Sequence, residues 1–199
     1  MARGLAVTAL VLAATQVPLP PADAATAPMH HAIEADRTLG RLTDLIIQRL
    51  RVSDEVAASK FGTGSPIDDP ARERQVLDQV RRQAGDLGLD PASATAFFQD
   101  QITASKIVQK GLVARWAAHP EQAPTTRPDL GQIRARLDRL TADLLRELKA
   151  TVRVRDEPTA CAVQLAVAAG SGAVLERLDA LHRQALTRAV HSVCAVHVD

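Results

Sequence analysis

The spacing of hydrophobic residues along the chain predicts a protein built from amphipathic helices. From residue 34 to residue 61, apolar positions recur at alternating steps of three and four, as on one face of a helix. That face reads Leu42, Ile46, Arg49, Ser53, Val56 and Lys60. Arg49 and Lys60 are about three helical turns apart, so both cations lie on the apolar face. Burying a charge is costly without a compensating partner, and a pocket for an anion would explain the pattern.

Capping residues, glycines and prolines divide the rest of the chain into further helices. In chain order we expect helices over about residues 34–61, 69–85, 91–118, 130–148, 159–169 and 172–196, and the second of them ends between residues 85 and 88. A proline-rich loop, residues 119–128, separates the third helix from the fourth, which Asp129 can cap. An alternating strand pattern extends no further than Thr151–Arg155. The predicted fold class is therefore all-α, a single-domain bundle of about six helices.

Composition supports helices and argues against a partner chosen by overall charge. Hydrophobic residues make up 46% of the 199 residues, but aromatic residues make up only 2% and tyrosine is absent. Alanine and leucine must supply most of the apolar packing, which favours helices over sheets. The formal net charge is +1, so nucleic-acid binding is not expected and any cationic site must be local.

The N-terminal segment has the features of an export signal. Arg3 precedes the apolar run Leu5–Ala14, which is shorter than the roughly 20 residues of a transmembrane helix. Ala22-Asp-Ala24 fits a small-x-small cleavage site, so residues 1–24 are predicted to be a signal peptide and residues 25–199 the mature domain. The alternative is a disordered tail. We expect no later segment to be long and apolar enough for a membrane anchor, and hence a secreted or periplasmic protein without membrane contact after cleavage.

The two cysteines, Cys161 and Cys194, agree with export because thiols pair in an oxidising compartment. The predicted disulfide would close a loop of about 33 residues. Two buried thiols or a metal pair are the alternatives. Neither cysteine has third and fourth metal ligands beside it, and the histidines lack metalloprotease spacing, so no metal site is expected. Motifs for nucleotide cofactors are also missing from the sequence, and we expect no cofactor.

Polar residues interrupt the apolar face of each of the first four helices. Besides Arg49 and Lys60 they are Asp69, Arg72 and Glu73 on the second helix, Ser105 and Gln109 on the third, and Arg134 on the fourth. Taken singly, each has an ordinary explanation: Arg72 could pair with Asp69, and Ser105 could bond to its own backbone. Taken together, they could line one cavity for a small ligand with two carboxylates, each held by an arginine fork.

This ordered set of residues resembles the all-helical chorismate mutases, and specifically their secreted (gamma) subclass. The resemblance covers about residues 39–140. Its elements are Arg49 and Lys60, then Pro66-Ile-Asp-Asp69-x-x-Arg72-Glu73, then Asp100-Gln-Ile-x-Ala-Ser105-x-x-x-Gln109, and Pro128-Asp-Leu130 before Arg134. The export signal and the late cysteine pair are also similar to that subclass. Each motif alone is weak, but the ordered set with its spacing is specific.

The resemblance implies an isomerase of aromatic amino acid biosynthesis, in the shikimate pathway, that rearranges chorismate to prephenate in one unimolecular pericyclic step. By this resemblance, Arg49 and Arg134 would bind the two carboxylates, and Arg72 and Ser105 would complete the carboxylate shell. Lys60 and Gln109 would donate hydrogen bonds to the ether oxygen. Glu73, with the backbone near Asp69, would bind the ring hydroxyl. Lys60, Gln109 and Arg49 would be the catalytic residues. The chemistry needs neither metal nor cofactor.

Two positions differ among members of the family. Some carry glutamate in place of Gln109, and a glutamate must be protonated to donate a hydrogen bond, whereas glutamine donates at any pH. We therefore expect a rate that is nearly flat between mildly acidic and mildly alkaline pH. At Val76 some secreted members have a polar residue that contacts the site, so valine could weaken substrate binding.

The chain after residue 140 does not repeat these motifs. We expect residues 34–140 to form the active-site part and residues 141–199 to form supporting helices. In smaller helical mutases a partner chain supplies an arginine to the site, and Arg134 is the candidate for that role here. The family tends to dimerise, so a homodimer is compatible with the sequence. The competing class is a non-catalytic secreted helical binding or adaptor protein, which would have no reason to place these polar residues inward.

Overall fold

All regular secondary structure in the described part of the chain is helical, which confirms the predicted all-α class. The structure is a computed structural model that describes the backbone of residues 27–194 and the side chains of residues 39–194. The helices are α1 (Ala27–Lys60), α2 (Pro70–Asp86), α3 (Pro91–Ala118), α4 (Leu130–Ala150), α5 (Val152–Arg155), α6 (Pro158–Leu175) and α7 (Ala180–Ala189). A 3-10 turn, Pro120–Gln122, lies in the loop before α4. The predicted signal peptide, residues 1–24, lies outside the described residues.

Aspartate caps fix the starts of the helices that carry the candidate site. Asp69 Oδ1 accepts a hydrogen bond from the backbone N–H of Arg72 at 3.0 Å, and Pro70 occupies the first position of α2. Asp90 caps α3 in the same way, and Asp129 accepts a backbone hydrogen bond at 2.7 Å before α4. A cap of this kind stabilises a helix by about 0.5–2 kcal/mol. All three starts agree with the predicted boundaries.

Helix α1 lies at the centre of the bundle and packs against α3, α4, α6 and α7. Its first described turns bury leucine and isoleucine side chains, among them Leu42 and Ile46. The same face continues into Arg49 and Ser53, which are only 7% and 2% exposed. The predicted helical face is therefore confirmed, and polar groups do occupy core positions in the second half of α1.

Asp100 ties α3 to the C-terminal helix α7. Asp100 is 3% exposed, and its carboxylate pairs with Arg188 of α7 at 2.6 Å and accepts a hydrogen bond from Ser192 Oγ at 2.5 Å. The predicted disulfide is present between Cys161 and Cys194, with a Cα–Cα distance of 5.8 Å. These links hold α6 and α7 against the helices that form the candidate site.

The boundaries of the last helices differ from the prediction. Helix α6 continues through Gly170 and Gly172, where a break had been expected, and ends at residue 175. Helix α7 is shorter than predicted. A Cβ atom on Gly172 would lie 2.7 Å from Ile47 Cδ1, so this glycine allows close contact between α6 and α1 and does not end the helix. The chain turns later, where Arg177 adopts a positive φ of 49°. The stretch with strand-like alternation, Thr151–Arg155, contains the short helix α5.

Helix α6 also corrects the prediction that no later segment is long and apolar enough to cross a membrane. Its 18 residues have a mean hydropathy of 1.5 and are 22% buried, and by length and composition α6 qualifies among the described residues. Val163, Val167, Val174 and Leu175 are exposed on it. Its other face packs against α1, and the disulfide ties its first turn to Cys194. In this fold α6 is therefore a peripheral helix of the bundle with an apolar outer face.

Candidate active site

A cavity of about 290 Å³ lies between α1, α2, α3 and α4 and is closed on one side by the loop before α2. All eight predicted ligand-binding residues line it: Arg49, Lys60, Asp69, Arg72, Glu73, Ser105, Gln109 and Arg134. Apolar side chains, including Val56, Ile102 and Ile133, form the rest of the wall. Four of these eight residues are cations, and they come from three helices, so the predicted cations do meet in one hollow.

Arg49 lies deepest among the cations. Its Cζ atom is 5.9 Å from the centre of the Phe98 ring, and its Nε and Nη1 atoms are buried without a hydrogen-bond partner among the described residues. Burial lowers the pKa of Arg49 to about 10, although Asp138 nearby acts in the opposite direction. The guanidinium is thus still charged at neutral pH. A buried cation with two unpaired donors is costly by itself and well suited to a carboxylate.

Two serine hydroxyls and the side-chain amide of Gln109 form a chain of hydrogen bonds beside Arg49. Ser53 Oγ donates to Ser105 Oγ at 2.8 Å, and Gln109 Nε2 donates to the same oxygen at 3.0 Å. The Gln109 side chain is buried, and its Oε1 atom has no hydrogen-bond partner in the described part of the chain. An amide nitrogen carries two hydrogens, so Gln109 keeps a second N–H for a ligand.

Lys60 stands at the end of α1, where the loop before α2 folds back over it. Its Nζ atom donates to the backbone carbonyl of Pro66 at 3.0 Å, which leaves two of the three ammonium donors for other partners. Burial lowers the pKa of Lys60 below its ordinary value. The carboxylate of Asp69 counters this effect, and Arg134 adds to it.

The start of α2 brings further charged groups to the rim. Arg72 does not pair with Asp69, because its Nη1 atom donates to Gln75 Oε1 at 2.7 Å and Asp69 accepts from the Arg72 backbone. Glu73 is engaged by Lys106, whose Nζ atom lies 3.0 and 3.1 Å from its two carboxylate oxygens. Arg134 lies on the exposed part of the wall contributed by α4.

Comparison with known proteins identifies the family of this chain. The family described as chorismate mutase type II matches residues 35–110. A secreted chorismate mutase of Mycolicibacterium smegmatis is 36% identical over 165 residues, which cover 82% of this chain and 91% of the relative. The chain belongs to the chorismate mutase family. The secreted chorismate mutase of Mycobacterium tuberculosis is 33% identical over 156 residues, or 78% of each chain.

A solved structure supports the same assignment. The crystal structure of chorismate mutase from Burkholderia thailandensis has a TM-score of 0.75 to this fold at 39% identity, and the match covers 79% of this chain and 99% of that one. The chain is thus a member of the secreted, all-helical chorismate mutases, as the sequence motifs implied, and chorismate mutases are isomerases. The predicted secretion agrees with relatives that are themselves named secreted.

Two charged residues on the cavity wall of this chorismate mutase were not predicted from the sequence. Lys106 and Asp138 both line the cavity. Lys106 directly follows Ser105 and lies four residues after Ile102, so a wider face of α3 would have included it. Asp138 lies one turn after Arg134 on α4, and the same rule would have found it. Val76, the position with a polar residue in some secreted members, also lies on the wall.

Proposed function

We propose that this chorismate mutase converts chorismate to prephenate by holding the dianionic substrate in its compact reactive conformer among the cations of the cavity. The rearrangement breaks the ether C–O bond and forms a C–C bond within the same molecule, so nothing enters or leaves. Such a step requires neither nucleophile nor proton transfer. The protein contributes by fixing the reactive geometry and by stabilising the charge that develops as the ether bond breaks.

The buried guanidinium of Arg49 is the observation that carries this proposal. Taking a charge out of water costs several kcal/mol unless a partner compensates it. The two unpaired nitrogens of Arg49 present a fork that one carboxylate could satisfy with two parallel hydrogen bonds. A bundle built only for stability would gain by an apolar side chain at this position.

The second carboxylate is assigned to Arg134, with Arg72 and Ser105 completing the shell. Arg134 lies on the exposed part of the wall, so an entering dianion would meet it before reaching Arg49. One cation at the entrance and one at the base would orient a ligand with two separated carboxylates. This orientation brings the reacting ether bridge between them.

The ether oxygen is assigned to the free donors of Lys60 and Gln109. Both lie on the cavity wall and both keep donors that the described residues do not occupy. A fixed donor aimed at developing negative charge contributes roughly 10²–10³ in kcat. Glu73, with the backbone near Asp69, is assigned to the ring hydroxyl, because a carboxylate accepts from a hydroxyl donor.

The test is to add chorismate to the purified protein and to follow the loss of its ultraviolet absorbance. We expect turnover, and we expect Lys60→Ala to lower kcat by roughly 10²–10³ with helical circular dichroism unchanged. Arg136→Ala is the matched control, since Arg136 pairs with Glu55 on the surface, and it should retain activity. A non-catalytic binding or adaptor protein would leave chorismate unchanged.

A further inference from the structure

Lys106 lines the cavity, and none of the roles assigned above uses it. Its Nζ atom lies 3.0 and 3.1 Å from the two oxygens of Glu73 and 3.4 Å from Asp68 Oδ1. The side chains of Lys106 and Glu73 are 23% and 21% exposed, so water screens this pair less than an ordinary surface pair. The contact joins α3 to the first turn of α2.

A second lysine extends the contact to the surface. Lys110, one turn after Lys106, lies 2.8 Å from Asp68 Oδ2. Charges therefore alternate in the order Lys110, Asp68, Lys106 and Glu73, from the surface to the cavity. Lys110 and Asp68 are more than half exposed, so the outer pair contributes little to stability. The inner pair, Lys106 with Glu73, is the part of the network that can influence the cavity.

The number of donors on Lys106 limits what it can do. An ammonium group has three donors, and Lys106 has three carboxylate oxygens within 3.4 Å of its Nζ atom. The donors of Lys106 are therefore directed largely at protein carboxylates. Each oxygen of Glu73, in contrast, has a second lone pair, so the carboxylate can still accept a hydrogen bond from a ligand.

We propose that Lys106 is a positioning residue that holds the Glu73 carboxylate toward the cavity for the ring hydroxyl of the substrate and neutralises it against the dianion. This inference rests on the proposed function. Without Lys106, the charge of Glu73 would repel a twice-negative ligand, and Asp68 and Asp69 close by would repel Glu73 toward solvent. Burial lowers the pKa of Lys106, but its hydrogen bonds to Glu73 and Asp68 outweigh this and raise it above its ordinary value. Lys106 therefore stays charged at the pH of any assay near neutrality.

The experiment compares Lys106→Met with Lys110→Met, a matched control that loses only the outer contact. We expect Lys106→Met to raise KM for chorismate about tenfold with kcat changed by less than about twofold. Lys110→Met should change neither by more than about twofold. Lys106→Arg keeps the charge and should return KM to within about threefold of wild type. Helical circular dichroism should be the same for all variants.

A double-mutant cycle with Glu73→Gln tests whether Lys106 acts through Glu73. We expect Lys106→Met to have no further effect on KM once Glu73 is neutral. A full tenfold effect in the Glu73→Gln background would overturn the inference, because Lys106 would then act on the substrate directly. Wild-type kinetic constants in Lys106→Met, or an equal loss in Lys106→Arg, would also overturn it while leaving the proposed function intact. A wild-type protein that does not convert chorismate would overturn both.

Discussion

Replacing Arg49 by methionine should make the protein more stable and nearly inactive. Methionine matches the aliphatic stem of arginine and carries no charge, so it keeps the packing of that stem and removes the guanidinium that lies beside Phe98. Burial lowers the pKa of Arg49 from the ordinary range of arginine to about 10. Because each unit corresponds to about 1.4 kcal/mol, the folded protein bears a cost of roughly 3 kcal/mol for keeping this side chain charged. A lowered pKa on a cation means that folding disfavours the charged form, so removing the charge should stabilise the fold.

The same substitution removes the two donors assigned to a substrate carboxylate. Losing one partner of a buried, hydrogen-bonded charge pair costs roughly 2–5 kcal/mol. At about 1.4 kcal/mol for each factor of ten, kcat/KM should fall by a factor of roughly 30 to 4,000. The melting temperature should meanwhile rise by about 6–12 °C, since a protein of this size gains about 2–4 °C for each kcal/mol.

Two measurements check the prediction: thermal unfolding followed by circular dichroism, and chorismate turnover followed in the ultraviolet. Arg136→Met is the control, because Arg136 is an arginine in an exposed ion pair with Glu55 and does not line the cavity. It should change the melting temperature by less than about 2 °C and leave turnover intact. A lower melting temperature for Arg49→Met, or unchanged turnover, would refute the account of Arg49 as a strained, ligand-directed cation.

Three further predictions follow from other parts of the structure. Wild-type turnover should be nearly flat from mildly acidic to mildly alkaline pH, because Gln109 donates without titrating. Turnover should fall in alkali at a lower pH than an ordinary lysine would give, because the pKa of Lys60 is lowered. In the Gln109→Glu variant, turnover should fall about tenfold per pH unit above the pKa of the new carboxyl group. The hydrogen bond to Asp54 at 2.8 Å raises the pKa of His182; burial lowers it, and the hydrogen bond to Asp179 raises it further. The stabilisation of the fold by His182 is therefore full below the pKa of the unfolded state and is lost as pH rises through the pKa of the folded state. Urea unfolding between pH 6 and pH 9 should show this loss in the wild type and not in His182→Gln. Gly172→Ala should destabilise the fold by about 1–3 kcal/mol, because the new methyl group would collide with Ile47. Gly170 has open space around it, so Gly170→Ala should stabilise the fold by about 0.5–1 kcal/mol. Thermal unfolding measures both effects.

The helices and most of the cavity could be predicted because local rules decide them. The starts of α2, α3 and α4 follow from aspartates that cap them, and such caps depend on a few neighbouring residues. The inward direction of Arg49 and Gln109 follows from helical periodicity alone, which does not depend on the partner helix. Placing both in one cavity required only that α1 and α3 pack against each other.

The features that could not be predicted depend on contacts between distant segments. Gly172 looks like a helix breaker in the sequence, and only the approach of Ile47 shows that the glycine within α6 instead serves close packing. Lys106 lies at the edge of the predicted face of α3, and its place in the site depends on Glu73, which is 33 residues earlier in the chain. The side chain of Arg72 donates to Gln75, and the hydrogen bond between Arg72 and Asp69 is the cap of α2, from the backbone N–H of Arg72.

A site that buries an uncompensated cation needs stability from elsewhere in the fold, and the C-terminal part of the chain can supply it. The disulfide closes a loop of 33 residues, which in the chain-entropy model stabilises the fold by about 4 kcal/mol. The paired carboxylate of Asp100 fixes α7 against the face of α3 that is turned away from the cavity. We therefore expect the C-terminal helices to act as support: reducing the disulfide should lower the melting temperature more than it lowers kcat at 25 °C, whereas the reverse order would place these helices in the site itself.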